Sequence, residues 1–557
     1  MILRDNPVLA RELLVNLRNP RSFYIQAAYV SFLGLMVYLA WQPGEAGPAQ
    51  ASSGAAKRLF DLFFLGQFYL VAMVAPTFAA GTITGEKERK TYEMLLASPL
   101  EPMTILVGKL LSSLTYLVLL IISSLPLMIL CFLLGGILLS EIARAYLTLI
   151  LAAGTFGLIS VACSSYFSRT SSALVVSYLI ILPMSLICVS MTRTDNIAAQ
   201  GFVTFAVLPP WCLTIWTIVA IVVNRRLLRP PDVGSEGKEV VDEEEEMKFA
   251  VGVVIDRDLF PDRLFAPPKR TDLMPDGTNP VLEKEMRSEI FSQGTLMLRL
   301  VIQVSMLLSI PLMALLLFFR PEYAGYYVAY VLTFNMLVGP VFSSGSITQE
   351  RERQTLALLL TTLLRPSQIV FAKLIAALRV TTVLSFLLTE QLLLAYLLIP
   401  ELRQRWWTLI VFLTIILVTC LTTTTVGLLC SALSRKTSVA MVLTYMSLLI
   451  LFVAPVGAFR FGQAFFSKID ERDLSLFTIT SPFSAAFSVE TPVGSGGGTS
   501  TSMFATTDQG TKTLLLPFVN QPVWVIYLAL APVMCLVLYG ITYLAFRWRW
   551  WRAGSAE

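Results

Sequence analysis

Histidine is absent from all 557 residues, which removes the usual zinc ligand and the side chain best suited to acid–base work near neutrality. Charge is scarce too: Asp, Glu, Lys and Arg make up 14% of the chain, against roughly a quarter in soluble domains. No Cys-x-x-Cys pair occurs among the seven cysteines. Cys131, Cys163, Cys188, Cys212, Cys420, Cys430 and Cys535 all lie within or at the ends of apolar stretches, so they read as packing residues. No Gly-x-x-x-x-Gly-Lys-Ser/Thr phosphate loop occurs. Its nearest approach, Gly85 to Thr91, lacks the second glycine that lets backbone N–H groups cradle phosphate. The first 21 residues are polar and carry Arg4, Arg11, Arg18 and Arg21 rather than a short apolar core, so no cleavable signal is expected. These absences weigh against most enzyme chemistry. The scattered net charge of +5 points to membrane topology and not to nucleic acid.

What the chain has is apolar length. Hydrophobic residues make up 55% of it, and stretches such as Leu409–Leu433 can each cross the roughly 30 Å hydrocarbon core as a helix. Hydropathy and helix breakers predict spans near 22–41, 59–84, 104–134, 143–167, 171–192 and 202–223. Six more are expected near 296–319, 323–348, 367–398, 405–433, 437–459 and 522–546. The expected fold is an all-α, polytopic transmembrane helix bundle of about twelve spans in two six-span repeats. Arg4 to Arg21, Lys87 to Lys90, Arg225 to Arg229 and Arg547 to Arg552 fall on one side, which the positive-inside rule makes cytoplasmic. Both termini are therefore expected in the cytoplasm. Arg403, Arg405 and Arg460 run against this bias in the second half.

Three regions follow: 1–223, a first six-span half; 224–278, a hydrophilic stretch with Pro230-Pro231 and the acidic run Glu243–Glu246; and 279–557, a second half. The middle stretch reads as a cytoplasmic connector or as a docking arm for a partner. A further polar stretch, 460–521, with a Ser/Gly/Thr-rich end, is expected outside the cytoplasm.

The halves share an internal repeat. Asn6-Pro7-Val8-Leu9 returns as Asn279-Pro280-Val281-Leu282, and an ungapped alignment of 81–111 with 345–375 gives fourteen identities in thirty-one positions. A weaker echo pairs Ser168-Arg169 with Ser434-Arg435. An even number of spans per half gives both repeats one orientation, a geometry suited to a pathway between two bundles. The alternative is a duplication that only stabilises a bundle.

The best-matched part of the repeat is polar. Residues 86–98 and 350–362 read as short cytoplasmic helices, with Glu86 and Glu350 at their starts, where the macrodipole favours a carboxylate. Arg89 and Arg353 lie three residues on, within reach of an i,i+3 pair. Thr91, Leu95 and Leu96, repeated as Thr355, Leu359 and Leu360, form a small apolar patch. A charged head with an apolar tail suits a groove on a protein partner; the alternative is a helix lying on lipid headgroups.

The run "EKERKTYEMLLASPLEP…GKLL" and its copy "ERERQTLALLLTTLLRP…AKLI" resemble the coupling-helix signature of ABC type-2 transporter permeases. The resemblance implies an elbow helix ahead of the first span of each half, near 6–21 and 279–295, and a coupling helix after the second span that docks on an ATPase. By position, Glu86, Arg89, Thr91, Leu95 and Leu96 would be coupling contacts in the first half, and Glu350, Arg353, Thr355, Leu359 and Leu360 in the second. The copy has Thr362-Leu363 where Ser-Pro is usual. The implied protein is not itself an enzyme and holds no cofactor. ATP and Mg would be bound by a separate ABC ATP-binding subunit, in two copies, and the chain would export an unidentified substrate across the cell membrane.

Two intramembrane charges stand apart. Arg379 and Glu390 lie in one span, about 16 Å apart along its axis, and intramembrane ionisable residues are functional candidates. Their first-half equivalents, Thr115 and Pro126, are uncharged. A polar clasp or a snorkelling arginine explains them equally well, and Lys109 and Lys373 also read as snorkelling residues. The competing function is an ion-coupled secondary transporter with a parallel repeat, which would need more midplane acidic residues than Glu390.

Overall fold

The computed structural model describes residues 51–88, 102–133, 137–167, 170–192, 203–227, 279–287, 324–352, 354–465, 476–489 and 522–554, with scattered positions elsewhere. Among them every long element is a helix, and none forms a strand. Eight helices are long and apolar enough to span a membrane, and a bent pair, Met103–Thr115 with Leu117–Ile129, turned by 40°, makes a ninth if it counts as one span. The helix Thr170–Thr192 stands where a further span was expected, but its described apolar part, Ser172–Ser185, is shorter than a span. Expected span 22–41 is described only in part, as helical positions between Gln26 and Tyr38, while expected span 296–319, apart from Ile310, and residues 228–278 lie outside the described residues. The described residues therefore supply eight or nine of the twelve spans expected.

The chain forms two compact units, Met1–Arg229 with Ala454–Phe477, and Pro230–Val453 with Thr478–Glu557. The first contains α1 (Ala51–Glu88), α2 (Pro102–Ser123), α3 (Leu125–Leu133), α4 (Leu139–Tyr166), α5 (Thr170–Thr192) and α6 (Leu208–Leu227). Here α1 packs along α4 and also meets α2 and α5. The second contains α7 (Pro280–Arg287), α8 (Ala324–Ser343), α9 (Thr348–Glu352), α10 (Leu356–Leu360), α11 (Pro366–Leu398), α12 (Trp406–Leu433) and α13 (Thr437–Leu448). Its centre is α12, packed by α8, α11, α13 and a last helix, Val523–Gly554.

Helix α12 shows how a threonine-rich sequence stays helical in an apolar setting. Buried Thr419, Thr423 and Thr424 each donate to the carbonyl four residues back, at 2.7, 3.0 and 2.8 Å, so no hydroxyl depends on water. Small residues then let helices approach. A Cβ built at Gly427 would meet Ser343 Oγ at 1.9 Å, and one at Gly339 would meet Thr423 Oγ at 2.9 Å, so α8 and α12 pack backbone to backbone. The five described cysteines, Cys163, Cys212, Cys420, Cys430 and Cys535, are buried thiols, as their apolar surroundings led one to expect.

Candidate coupling sites

Each unit ends its long second-span helix in the same set of bonds. In the first, the Ile83 and Thr84 N–H groups both donate to Ser164 Oγ on α4, at 3.2 and 2.9 Å. In the second, Ile347 and Thr348 donate to Ser431 Oγ on α12, at 3.0 and 3.1 Å. In the second unit these amides stand at the break between α8 and α9, whereas in the first they lie within the last turns of α1; in both, one serine hydroxyl from a neighbouring span accepts from two of them, and an unmet buried donor costs about 1–3 kcal/mol.

One residue pair on, a cation caps the neighbouring helix. Lys87 Nζ donates to the carbonyls of Ser164, Ser165 and Phe167 at 3.3, 2.7 and 3.0 Å, where α4 ends. Arg351 donates to the Ser434 carbonyl where α12 ends. Positive charge at a helix C-terminus meets its orphan carbonyls. Next, Glu88 accepts from the Thr170 N–H at 2.8 Å and Glu352 from the Thr437 N–H at 3.1 Å, each a carboxylate at a helix N-terminus. Deeper in, Tyr178 OH donates to the Met73 carbonyl and Tyr445 OH to that of Leu337, at 2.8 and 2.7 Å.

These pairs correct the weak sequence echo by one position. The residues that cap α4 and α12 are Phe167 and Ser434, so Ser168 corresponds to Arg435 and Thr170 to Thr437. In that register Cys163-Ser164 matches Cys430-Ser431, and Thr-Ser-x-Ala-x-Val-x-x-Tyr at 170–178 returns at 437–445. The signal is in the sequence, obscured by a small change of spacing between the halves and by the chance recurrence of a Ser-Arg dipeptide one position out of register.

Glu350 lies in the first turn of α9, as expected, but Glu86 lies in the last turn of α1, not at a helix start. A carboxylate there opposes the macrodipole, and neighbouring groups offset this. Its Oε1 accepts from Lys109 Nζ at 3.1 Å, and its Oε2 accepts from the Thr91 hydroxyl. Glu350 likewise accepts from the Thr355 hydroxyl, from Lys284 at 2.8 Å, and lies 3.6 Å from Lys373.

The Thr91 N–H bonds to the Glu86 carbonyl and that of Thr355 to Glu350, both at 2.9 Å. In the second unit Gln354 N–H also bonds to the Arg351 carbonyl at 3.1 Å, with Gln354 at φ 58°. This is a Schellman closure with a left-handed residue after the helix. It splits the expected 350–362 helix into α9 and α10, five residues each. The repeated Glu-x-x-x-x-Thr spacing thus builds a helix stop, and Thr91 and Thr355 act within it.

The lysines read as snorkelling are buried instead. Lys109 and Lys373 have side chains 4% and 2% exposed. Lys109 Nζ donates to the Thr82 carbonyl at 2.9 Å besides Glu86. Lys373 Nζ donates to the matching Ser346 carbonyl at 2.8 Å and to Glu285 on α7 at 2.9 Å. Helix α7 opens with Asn279 as its N-cap, Oδ1 accepting from the Val281 N–H at 3.1 Å. Helix α7 is therefore tied to Glu350 through Lys284 and to α11 through Glu285.

Among the apolar residues, Leu359 and Leu360 turn inward, packing with Leu356 and Leu364 on a core of Val281, Ile347, Ile369 and Val370. Leu358, the residue before them, is 70% exposed, and Met94, its partner in the repeat, is 77% exposed. Arg89, Arg353, Leu95 and Leu96 lie outside the described residues. Arg379 is half-buried and Glu390 exposed on α11, with no counterpart in the first unit.

No curated protein sequence matches the chain. A family model described as ABC-2 family transporter protein matches residues 7–210 and 279–546, the two stretches that the internal repeat relates. With its membrane-spanning helices and its duplicated polar segment, the chain belongs to the ABC-2 family of transporter proteins, as a permease of two fused halves.

Proposed function

We propose that this chain is the membrane pathway of an ABC exporter, driven by two copies of a separate ATP-binding subunit that dock on the coupling segments near 86–98 and 350–362. The family implies an ATP-binding partner and a membrane-embedded transport role. The observation that carries the docking reading is the duplication of one bond set around one exposed apolar residue, Met94 or Leu358. Lipid packing gives no reason to repeat such a set. Met94 and Leu358 join Glu86, Arg89, Thr91, Leu95, Leu96, Glu350, Arg353, Thr355, Leu359 and Leu360 in this reading: the outward pair touches the partner, and Leu359 and Leu360, which turn inward, hold the shape of the second segment. ATP and Mg are held by the partner. The protein lies in the cell membrane with both termini and the 224–278 linker in the cytoplasm, and closure of the ATP-binding subunits rocks the halves through the segments.

The test is the double variant Met94→Glu with Leu358→Glu. Both side chains are exposed, so the spans should insert normally. Docking would bury a carboxylate where each site now offers an apolar side chain worth about 1.5–3 kcal/mol when covered. Co-purification of the ATP-binding subunit is therefore expected to fall at least about tenfold. Wild-type recovery of the subunit, with wild-type permease in the membrane, would refute the docking surface.

A further inference from the structure

Lys109 and Lys373 occupy one position of the repeat, each on the helix that follows its coupling segment. Each ammonium is buried, and each reaches back to the root of the segment: Lys109 to the Thr82 carbonyl and Glu86, Lys373 to the Ser346 carbonyl and the neighbourhood of Glu350. Burying a lysine is unfavourable unless it is paired, and well-packed apolar residues often replace buried ion pairs with no loss of stability. Stability alone is therefore a weak reason for placing a lysine twice at this spot. A charged tie differs from an apolar contact in direction: it resists sliding and rotation of one group past the other.

The other bonds at the segment root run to different helices. Ser164 and Lys87 hold it to α4, Glu88 to α5; Ser431 and Arg351 hold it to α12, Glu352 to α13. The lysine supplies a charged tie to α2 in the first unit and to α11 in the second, beside apolar packing such as that of Leu359 and Leu360 on Ile369 and Val370.

We propose that Lys109 and Lys373 are positioning residues for coupling, which lock each coupling segment to the helix that follows it so that movement of the segment is carried into the membrane. This rests on the reading that the segments receive the ATP-binding subunit, but it makes a separate claim, that docking and transmission are divisible. Charge is the property used, so arginine should serve and methionine should not.

The experiment uses the full chain in complex with its ATP-binding subunit, with hydrogen exchange followed by mass spectrometry before and after ATP addition. Exchange is read at the coupling segments and at the opposite ends of the spans, residues 137–142 and 399–406. Wild type should respond to ATP at both. Lys109→Met with Lys373→Met should keep the subunit bound and keep the response at the segments, yet lose it at the far ends. Lys109→Arg with Lys373→Arg should restore it. A wild-type far-end response in the methionine pair, or its loss in the arginine pair as well, would overturn the proposal. If the methionine pair does not accumulate, Glu86→Gln with Glu350→Gln removes the charge from the other side; with the subunit still bound and the segments still responding to ATP, a far-end response like wild type overturns the proposal and its loss supports it. Failure of the wild-type chain to retain the subunit would count against the docking reading instead.

Discussion

Gly427→Val is expected to unfold or strongly loosen the second unit. Its Cβ would lie 1.9 Å from Ser343 Oγ, 2.7 Å from Ser343 Cβ and 3.3 Å from the Ser344 nitrogen. Rotating the Ser343 hydroxyl removes only the first clash and breaks its bond to the Gly339 carbonyl. The backbone must therefore move, separating α8 from α12 one turn from Ser431, which holds Ile347 and Thr348. Overpacking of this kind costs about 1–3 kcal/mol and occasionally more. The valine adds two methyl groups to a site that cannot take one. Gly540 has nothing within 4 Å of a built Cβ, so Gly540→Ala should be neutral or stabilise by up to about 1 kcal/mol through helix propensity. Thermal melts of both variants in detergent check the contrast; a Gly427→Val melt like that of wild type would contradict the packing.

Reversing Glu350 is the second large effect. Glu350→Lys would set a third cation beside Lys284 and Lys373, now 2.8 and 3.6 Å from the carboxylate, leaving Glu285 as the one carboxylate described there. It also removes the carboxylate that accepts from the Thr355 hydroxyl at the Schellman closure, leaving that hydroxyl the Glu350 carbonyl at 3.2 Å. Breaking a buried pair costs about 3–5 kcal/mol, because the remaining charge is stranded. The swap Glu350→Lys with Lys373→Glu should recover part of the loss. Lys284→Ala should cost under about 1 kcal/mol, since the Lys284 side chain is 60% exposed and its pair is screened. Yield and melting temperature across the four proteins measure these differences. Equal effects of Glu350→Lys and Lys284→Ala would show that burial does not govern the cluster.

Much of the architecture was legible in the sequence, because apolar length is the direct signature of a spanning helix, and Leu139–Tyr166 or Trp406–Leu433 announce themselves that way. The repeat at 81–111 and 345–375 was legible too, since polar identities such as Glu86/Glu350 and Lys109/Lys373 are conspicuous in an apolar chain. Side-chain direction was not legible. Three consecutive leucines, Leu358 to Leu360, cannot be sorted by pattern into one outward and two inward residues, because the break at Gln354 resets the helical phase. Nor did spacing show that Lys109 turns back to Glu86, since a lysine near a span end has water within reach of its stem. The Schellman closure escaped notice because glycine usually marks it and here glutamine takes the left-handed position.

The central claim is that the duplicated coupling segments are where an ATP-binding subunit sits. A benzophenone side chain placed in turn at Met94, Leu358, Leu359 and Leu360, and photolysed in the assembled complex, tests it most directly. The account predicts covalent adducts with the ATP-binding subunit from Met94 and Leu358, the exposed pair, and background from Leu359 and Leu360, which pack on the unit's own core. Absence of adducts from both exposed positions in a complex that still co-purifies, or adducts only from the two inward leucines, would contradict it.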